Sequence, residues 1–167
     1  MLERFFPNEY VNSVYLIDYN KLLNMGINSA IFDIDNTLVP HYIERAPKNI
    51  RDLFEKLKGM GFKICLLSNN NERRVQNFKR GIDILSVSMA GKPSLRALNK
   101  AMVLLNSQPE STCIIGDQVF TDIYCGNRKK IYTILVKPVV NKDEIIVRIK
   151  RGFERKVIEA FSRKGGR

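Results

Sequence analysis

Residues 31–39 read IFDIDNTLV, an apolar run that ends in two aspartates two residues apart and an Asn-Thr turn. The run has the composition of a strand buried on both faces. Carboxylates at its end are costly to bury unless a cation or a ligand compensates them. With strand periodicity Asp33 and Asp35 point to one face, so the pair can share one metal ion. Read alone, Asp-x-Asp also fits an Asx-rich turn or a solvated edge.

Comparable runs recur along the chain. Strands are predicted at 29–34, 63–68, 85–89, 112–116 and 132–136, with helices near 48–59, 71–80, 94–106 and 119–127. Ser94, directly after Pro93, fits an N-cap for the third of these helices. This alternation predicts an α/β fold: a three-layer, doubly wound, Rossmann-like parallel sheet with right-handed crossovers. Ligands of such sheets sit beyond the carboxyl ends of the strands. Asp33, Ser68, Lys92 and Asp117 all fall at or just after such an end.

Two segments flank the alternation. Residues 1–26 are aromatic-rich (Phe5, Phe6, Tyr10, Tyr15) and close with a short helix expected to end at Gly26. Residues 143–161 form a basic amphipathic helix in which Ile146, Ile149, Phe153, Val157 and Phe161 line one face. That face either packs on the sheet or lies on a membrane surface. No repeat or linker interrupts residues 1–167, so a single domain is expected.

Composition narrows the classes further. The chain has 167 residues, 44% hydrophobic and 27% charged, which is enough to bury a real core. No stretch approaches the length of an apolar membrane span. An early acid and Pro7 stand where a signal peptide would need its apolar core. Cys65, Cys113 and Cys125 lack metal-ligand spacing and read as small core residues, so a reducing, cytoplasmic setting is expected. The formal charge is +11, and residues 128–167, with 13 Lys/Arg against 4 Asp/Glu, carry +9 of it. Such a surface attracts nucleic acid or anionic membrane, or merely solvates a helix face.

Asp33 and Asp35, Ser68 in LLSNN, Lys92 in AGKPS, and Asp117 with Asp122 in IIGDQVFTDI each suit a task in phosphoryl transfer. One carboxylate can attack phosphorus and form an aspartyl-phosphate. A second can protonate the leaving oxygen and then deprotonate water. A carboxylate repels a phosphate dianion, which calls for Mg²⁺ on hard oxygen ligands. A hydroxyl and an ammonium complete the cradle.

At these residues the chain resembles the haloacid dehalogenase superfamily of aspartate-nucleophile phosphatases. The resemblance implies that Asp33 is nucleophile and Mg²⁺ ligand. It makes Asp35 the general acid/base, with its backbone carbonyl on the metal. It assigns Thr37 to the turn and, with Ser68, Asn69 and Lys92, to the phosphate, and Asp117 and Asp122 to the metal motif. Asp122 is expected to act from behind the direct ligands. Asp at position 35, rather than Thr, resembles phosphatases and not transport ATPases.

Spacing limits how the site can be covered. Only 25 residues, 38–62, separate the first motif from the second strand, and 23 lie between Ser68 and Lys92. Neither interval holds a cap domain, so a capless, open site is expected, closed only by a flap at 38–47. Open sites suit large or surface-presented substrates. The segments FPNEYVNSVYLID, FDIDNTLV, LLSNN, KPS and GDQVFTDI further resemble subclass IIIA phosphatases of the YqeG type. Those are similar to the mitochondrial phosphatases that produce phosphatidylglycerol. By that resemblance the substrate is a phosphorylated lipid head group, phosphatidylglycerophosphate. Soluble sugar phosphates, nucleotides and phosphoproteins remain alternatives, as does an RNA- or ribosome-associated binding protein with secondary phosphatase activity. His41, the single histidine, sits in the flap and reads as a solvent-facing loop residue. Arg73 and Arg74 either line the open site, where they could bind a second phosphate, or simply open a helix. Cations are mildly unfavourable at a helix start, which favours a role in the site.

Overall fold

A computed structural model describes residues 2–140, 145–163 and 165, the side chains of 145–151 and 153 excepted. Six strands form one sheet: β1 (Glu9–Val11), β2 (Ser29–Phe32), β3 (Lys63–Leu67), β4 (Leu85–Val87), β5 (Thr112–Gly116) and β6 (Tyr132–Val136). Their order is β1-β6-β5-β2-β3-β4, and every neighbouring pair is parallel. Six helices accompany them: α1 (Tyr19–Asn24), α2 (Lys48–Gly59), α3 (Glu72–Phe78), α4 (Leu95–Leu105), α5 (Tyr124–Lys129) and α6 (Ile145–Arg163).

Continuous apolarity in the strands has a direct structural meaning. Ala30, Phe32, Ile64, Leu66, Cys113 and Ile115 face one layer, with Ile50, Phe54 and Leu57 of α2 and Phe78 of α3. The intervening Ile31, Cys65, Leu67, Val87 and Ile114 face the other, with Leu98, Ala101 and Met102 of α4. Successive residues of β2 therefore feed opposite layers, as strand geometry requires. Phe32 meets Phe54 edge-to-face at 5.6 Å. The expected three-layer α/β fold is present.

The chain runs from β2 outward through β3 to β4, then returns to the other side of β2 as β5. Strand order thus reverses between β2 and β5, and a crevice opens at their carboxyl ends. The connection 33–47 carries a single bridge, Asp35 to Val39, and no inserted domain.

Two expectations change, and one open alternative is decided. The N-terminal segment is not outside the sheet: Glu9–Val11 pairs in parallel with Ile134–Val136 and forms the sixth, edge strand. The helix predicted at 119–127 is a wide π-type turn over Val119–Ile123 that continues into α5. The apolar stripe of the C-terminal helix packs inward where described. Val157 is buried with Val119, Ile123 and Leu135, and Phe161 meets Phe6 at 5.8 Å. Ile146, Ile149 and Phe153 lie outside the described side chains. No described helix is long and apolar enough to cross a membrane.

Candidate active site

Lys92 reaches the centre of the crevice from the β4–α4 connection. Its Nζ lies 2.6 Å from Asp33 Oδ1, 2.6 Å from Asp122 Oδ1 and 2.9 Å from the Leu67 carbonyl. All three ammonium protons are thereby used. Burial alone would lower the Lys92 pKa, but the charges and hydrogen bonds of Asp122 and Asp33 outweigh it and leave it raised. Asn69, immediately after Ser68, fixes the main chain below the ammonium: its Oδ1 accepts the Lys92 N–H at 2.8 Å. Asn69 therefore spends its side-chain carbonyl on Lys92.

Asp33, Asp117 and Asp122 are buried together, with an oxygen of each within 4.8 Å of the others. Thr37 Oγ1 lies 3.2 Å from Asp33 Oδ2 and 3.2 Å from Asp117 Oδ1, and its one proton serves one of them at a time. Burial pushes the Asp33 carboxyl up to about 6, against the pull of Lys92 and with a further push from Asp122. Asp117 is raised well above the usual carboxylate range by burial, then by the charges of Asp33 and Asp122. Three buried acids against one buried ammonium leave an excess of negative charge. With oxygen as the sole donor type, this set fits a hard divalent cation. Asp122 is the acid most engaged by protein, through Lys92, the Gln118 N–H at 3.2 Å and the Thr121 hydroxyl at 3.4 Å. Asp33 and Asp117 are thus the better placed to hold a cation directly.

Asp35 departs from the strand-based expectation. β2 ends at Phe32, Asn36 turns the chain at φ 65°, and the Asp35 side chain points away from the acid cluster. Asp35 Oδ1 accepts from Arg74 Nη2 at 2.8 Å and Oδ2 from Asn70 Nδ2 at 2.6 Å. The Asp35 carboxylate is thus engaged by Arg74 and Asn70, apart from the group formed by Asp33, Asp117 and Asp122. Ser68 is buried at the end of β3, where its hydroxyl accepts the Asn70 N–H at 3.2 Å. His41 is exposed on the flap and touches only the Tyr42 ring, at 5.5 Å, among its described ring contacts. Arg73 is exposed as well, whereas Arg74 is turned onto Asp35. Asn70 and Arg74 were not read as partners of Asp35. The unfavourable place of Arg74 in the first turn of α3 pointed to the site, with a second phosphate as the expected partner, whereas the structure pairs it with Asp35.

Two grooves border the cluster. One, of about 490 Å³, runs beside Thr37 between Val14, Tyr15, Ile43 and Pro138. The other, of about 340 Å³, runs beside Asp117 between Tyr10, Val119, Leu135 and Ile158. A larger hollow of about 620 Å³ around Phe6, Met25 and Ile131 lines neither cluster nor flap.

Comparison with known proteins agrees with this geometry. Residues 89–153, which include Lys92, Asp117 and Asp122, match the HAD-hydrolase-like family. The chain is 39% identical over 166 residues to the probable phosphatase YqeG of Bacillus subtilis, covering 99% of this chain and 96% of that one. It is 26% identical over 169 residues to phosphatidylglycerophosphate phosphatase 1, chloroplastic/mitochondrial, of Arabidopsis thaliana, spanning 95% of this chain and 49% of that protein. In structure it resembles the cobalt-bound deoxy-D-mannose-octulosonate 8-phosphate phosphatase of Haemophilus influenzae. That match has a TM-score of 0.56 at 18% identity and covers 78% of this chain and 77% of that one. With its acid cluster at the reversal point of a doubly wound sheet, the chain belongs to the haloacid dehalogenase-like phosphatases, and among them to the YqeG type.

Proposed function

We propose that the protein is a Mg²⁺-dependent phosphomonoester hydrolase that works through an aspartyl-phosphate on Asp33. The observation that carries this reading is the buried trio Asp33, Asp117 and Asp122, two of which, Asp33 and Asp122, share the ammonium of Lys92. Asp33 attacks phosphorus while Asp35 gives a proton to the departing ester oxygen, so the P–O ester bond breaks and an acyl-phosphate forms. Asp35 then takes a proton from water, whose oxygen attacks phosphorus, releases inorganic phosphate and restores both carboxyls. Lys92 and Ser68 stabilise the charge on the transferring oxygens. Asp33 and Asp117 would hold Mg²⁺, which would supply neutralisation of the charge that opposes a carboxylate's attack on a phosphate.

The favoured substrate is phosphatidylglycerophosphate at the cytoplasmic face of a membrane. Three observations support it. The relation to the Arabidopsis enzyme spans nearly the whole of this chain. Among the described residues no inserted domain covers the crevice. Leu16, Tyr42, Met89 and Val139 stand exposed on connections leaving the carboxyl ends of the strands, the end that carries the site. The test is phosphate release from that lipid in mixed micelles, against soluble sugar phosphates and nucleotides, with Mg²⁺ and with chelator. Trapping and mapping the phosphorylated residue tests the intermediate. A higher kcat/KM for a soluble ester overturns the lipid assignment. A phosphorylated residue other than Asp33 overturns the mechanism.

A further inference from the structure

Arg74 makes contacts that neither the acid cluster nor the phosphate cradle requires. Its Nη2 donates to Asp35 Oδ1 at 2.8 Å, and its Nη1 donates to the main-chain carbonyl of Glu44 at 3.2 Å. Asp35 is the residue between nucleophile and turn, and Glu44 belongs to the 38–47 flap. One side chain of α3 therefore joins the 35 loop to the flap. A second bond ties α3 to the flap: the Ala46 N–H donates to the Phe78 carbonyl at 3.0 Å.

Two features say that stability does not account for Arg74. It stands in the first turn of α3, where a cation meets the positive end of the helix. Its Nε is buried without a hydrogen-bond partner, a costly state for a charged donor. Its ion pair is largely withdrawn from water, with 15% and 17% of the two side chains exposed, so it cannot be dismissed as a loose surface pair. Asn70 completes the arrangement by donating to Asp35 Oδ2 at 2.6 Å. Each Asp35 oxygen is thus aimed by one donor and keeps a second lone pair for a proton.

We propose that Arg74 is a positioning residue: it sets the Asp35 carboxyl and the flap in a single geometry, so that the proton is delivered only where the flap is docked. This inference rests on the assignment of Asp35 as proton donor. Arginine suits the task because its rigid fork reaches two acceptors at once, which a lysine ammonium on a flexible stem does not do equally well.

The experiment compares kcat/KM for two phosphomonoesters, an alkyl phosphate whose leaving oxygen needs a proton and 4-nitrophenyl phosphate whose leaving group does not. In Arg74→Gln the alkyl ester should lose about 10²-fold, within the range of general acid catalysis, while the nitrophenyl ester loses far less. Arg74→Lys should recover part of the alkyl activity. The double variant Arg74→Gln/Asp35→Asn should be no slower than Asp35→Asn alone, because the two residues act as one unit. Equal losses on both esters in Arg74→Gln, with Asp35→Asn still discriminating between them, would overturn the role of Arg74 and leave that of Asp35 intact. Absence of discrimination in Asp35→Asn overturns the proton-donor assignment and the positioning role with it. Arg74→Lys, which keeps the charge, supplies the same comparison if the glutamine variant does not fold.

Discussion

Lys92 Nζ and Asp122 Oδ1 lie 2.6 Å apart with their side chains 2% and 1% exposed. A pair this deep is held by mutual need: removing one partner strands the other in low dielectric. Asp122→Ala should therefore destabilise the protein by about 3 kcal/mol, the lower end for a broken buried pair, because Asp33 still faces the ammonium. Activity should fall in parallel, since Lys92 loses one of the three acceptors that aim it. Chemical denaturation and turnover measured on the same preparation check both effects. An unchanged denaturation midpoint would show that the pair does not hold the fold.

Asp35 lies outside this buried set, so its removal should separate catalysis from folding. Asp35→Asn is expected to cost about 10²–10⁴ in kcat, the usual contribution of a positioned acid/base. The melting temperature should change little, because the new amide oxygen still accepts from Arg74, and Asn70 can turn its own amide to match the other end. A large loss of stability with modest loss of rate would contradict the proposed division of labour.

Protein stripped of divalent ions should respond to pH through Asp33 and Asp117. Both carboxyls are raised, Asp33 to about 6 and Asp117 in the same direction, chiefly by burial. A raised folded pKa stabilises the protonated form, so that stability is fully present below the unfolded carboxylate range. It is lost as pH rises through about 6, where Asp33 ionises, and then through the raised range of Asp117. A cation reverses the loss by binding the ionised forms. Thermal scans at pH 5 and pH 8, with chelator and with Mg²⁺, should show a much larger Mg²⁺-induced rise in melting temperature at pH 8. Parallel rises at the two pH values would argue against a cation bound to these carboxyls.

What could be read from the chain, and what could not, follows from the range of the interactions. Helix α2 and strands β5 and β6 coincide with their predicted limits, because near-continuous apolar runs and amphipathic spacing are local signals. Strand β1 escaped notice: three half-buried residues, Glu9–Val11, carry little pattern, and they gain their structure from β6 at the far end of the chain. The cluster was legible because Asp33, Lys92 and Asp117 follow strand ends, which the sheet topology collects, and Asp122 lies in the turn directly after Asp117. The orientation of Asp35 was not. It depends on where β2 stops, on the positive φ of Asn36, and on Arg74, 39 positions away in sequence. Period-two reasoning fails at Asp35 because the chain has already left the strand.

Two buried glycines distinguish close approach in the site from close approach in the core. A Cβ on Gly116 would meet Asp122 Cγ at 2.3 Å, whereas one on Gly126 would meet Thr133 Cγ2 at 2.4 Å and Ile114 Cγ2 at 2.6 Å. Neither contact is tolerable without movement, so each alanine substitution should cost about 1–3 kcal/mol as overpacking. The consequences for catalysis differ. Gly116→Ala pushes directly on the carboxyl that holds Lys92, and the ammonium must follow or lose its partner. Gly126→Ala strains α5 against β5 and β6, away from the acids. Below their melting temperatures, Gly116→Ala should show a lowered kcat, while Gly126→Ala should retain the parent value. Steady-state kinetics at low temperature, normalised to folded protein by circular dichroism, make the comparison. Equal kcat in the two variants would mean that the approach of Gly116 to Asp122 serves packing alone.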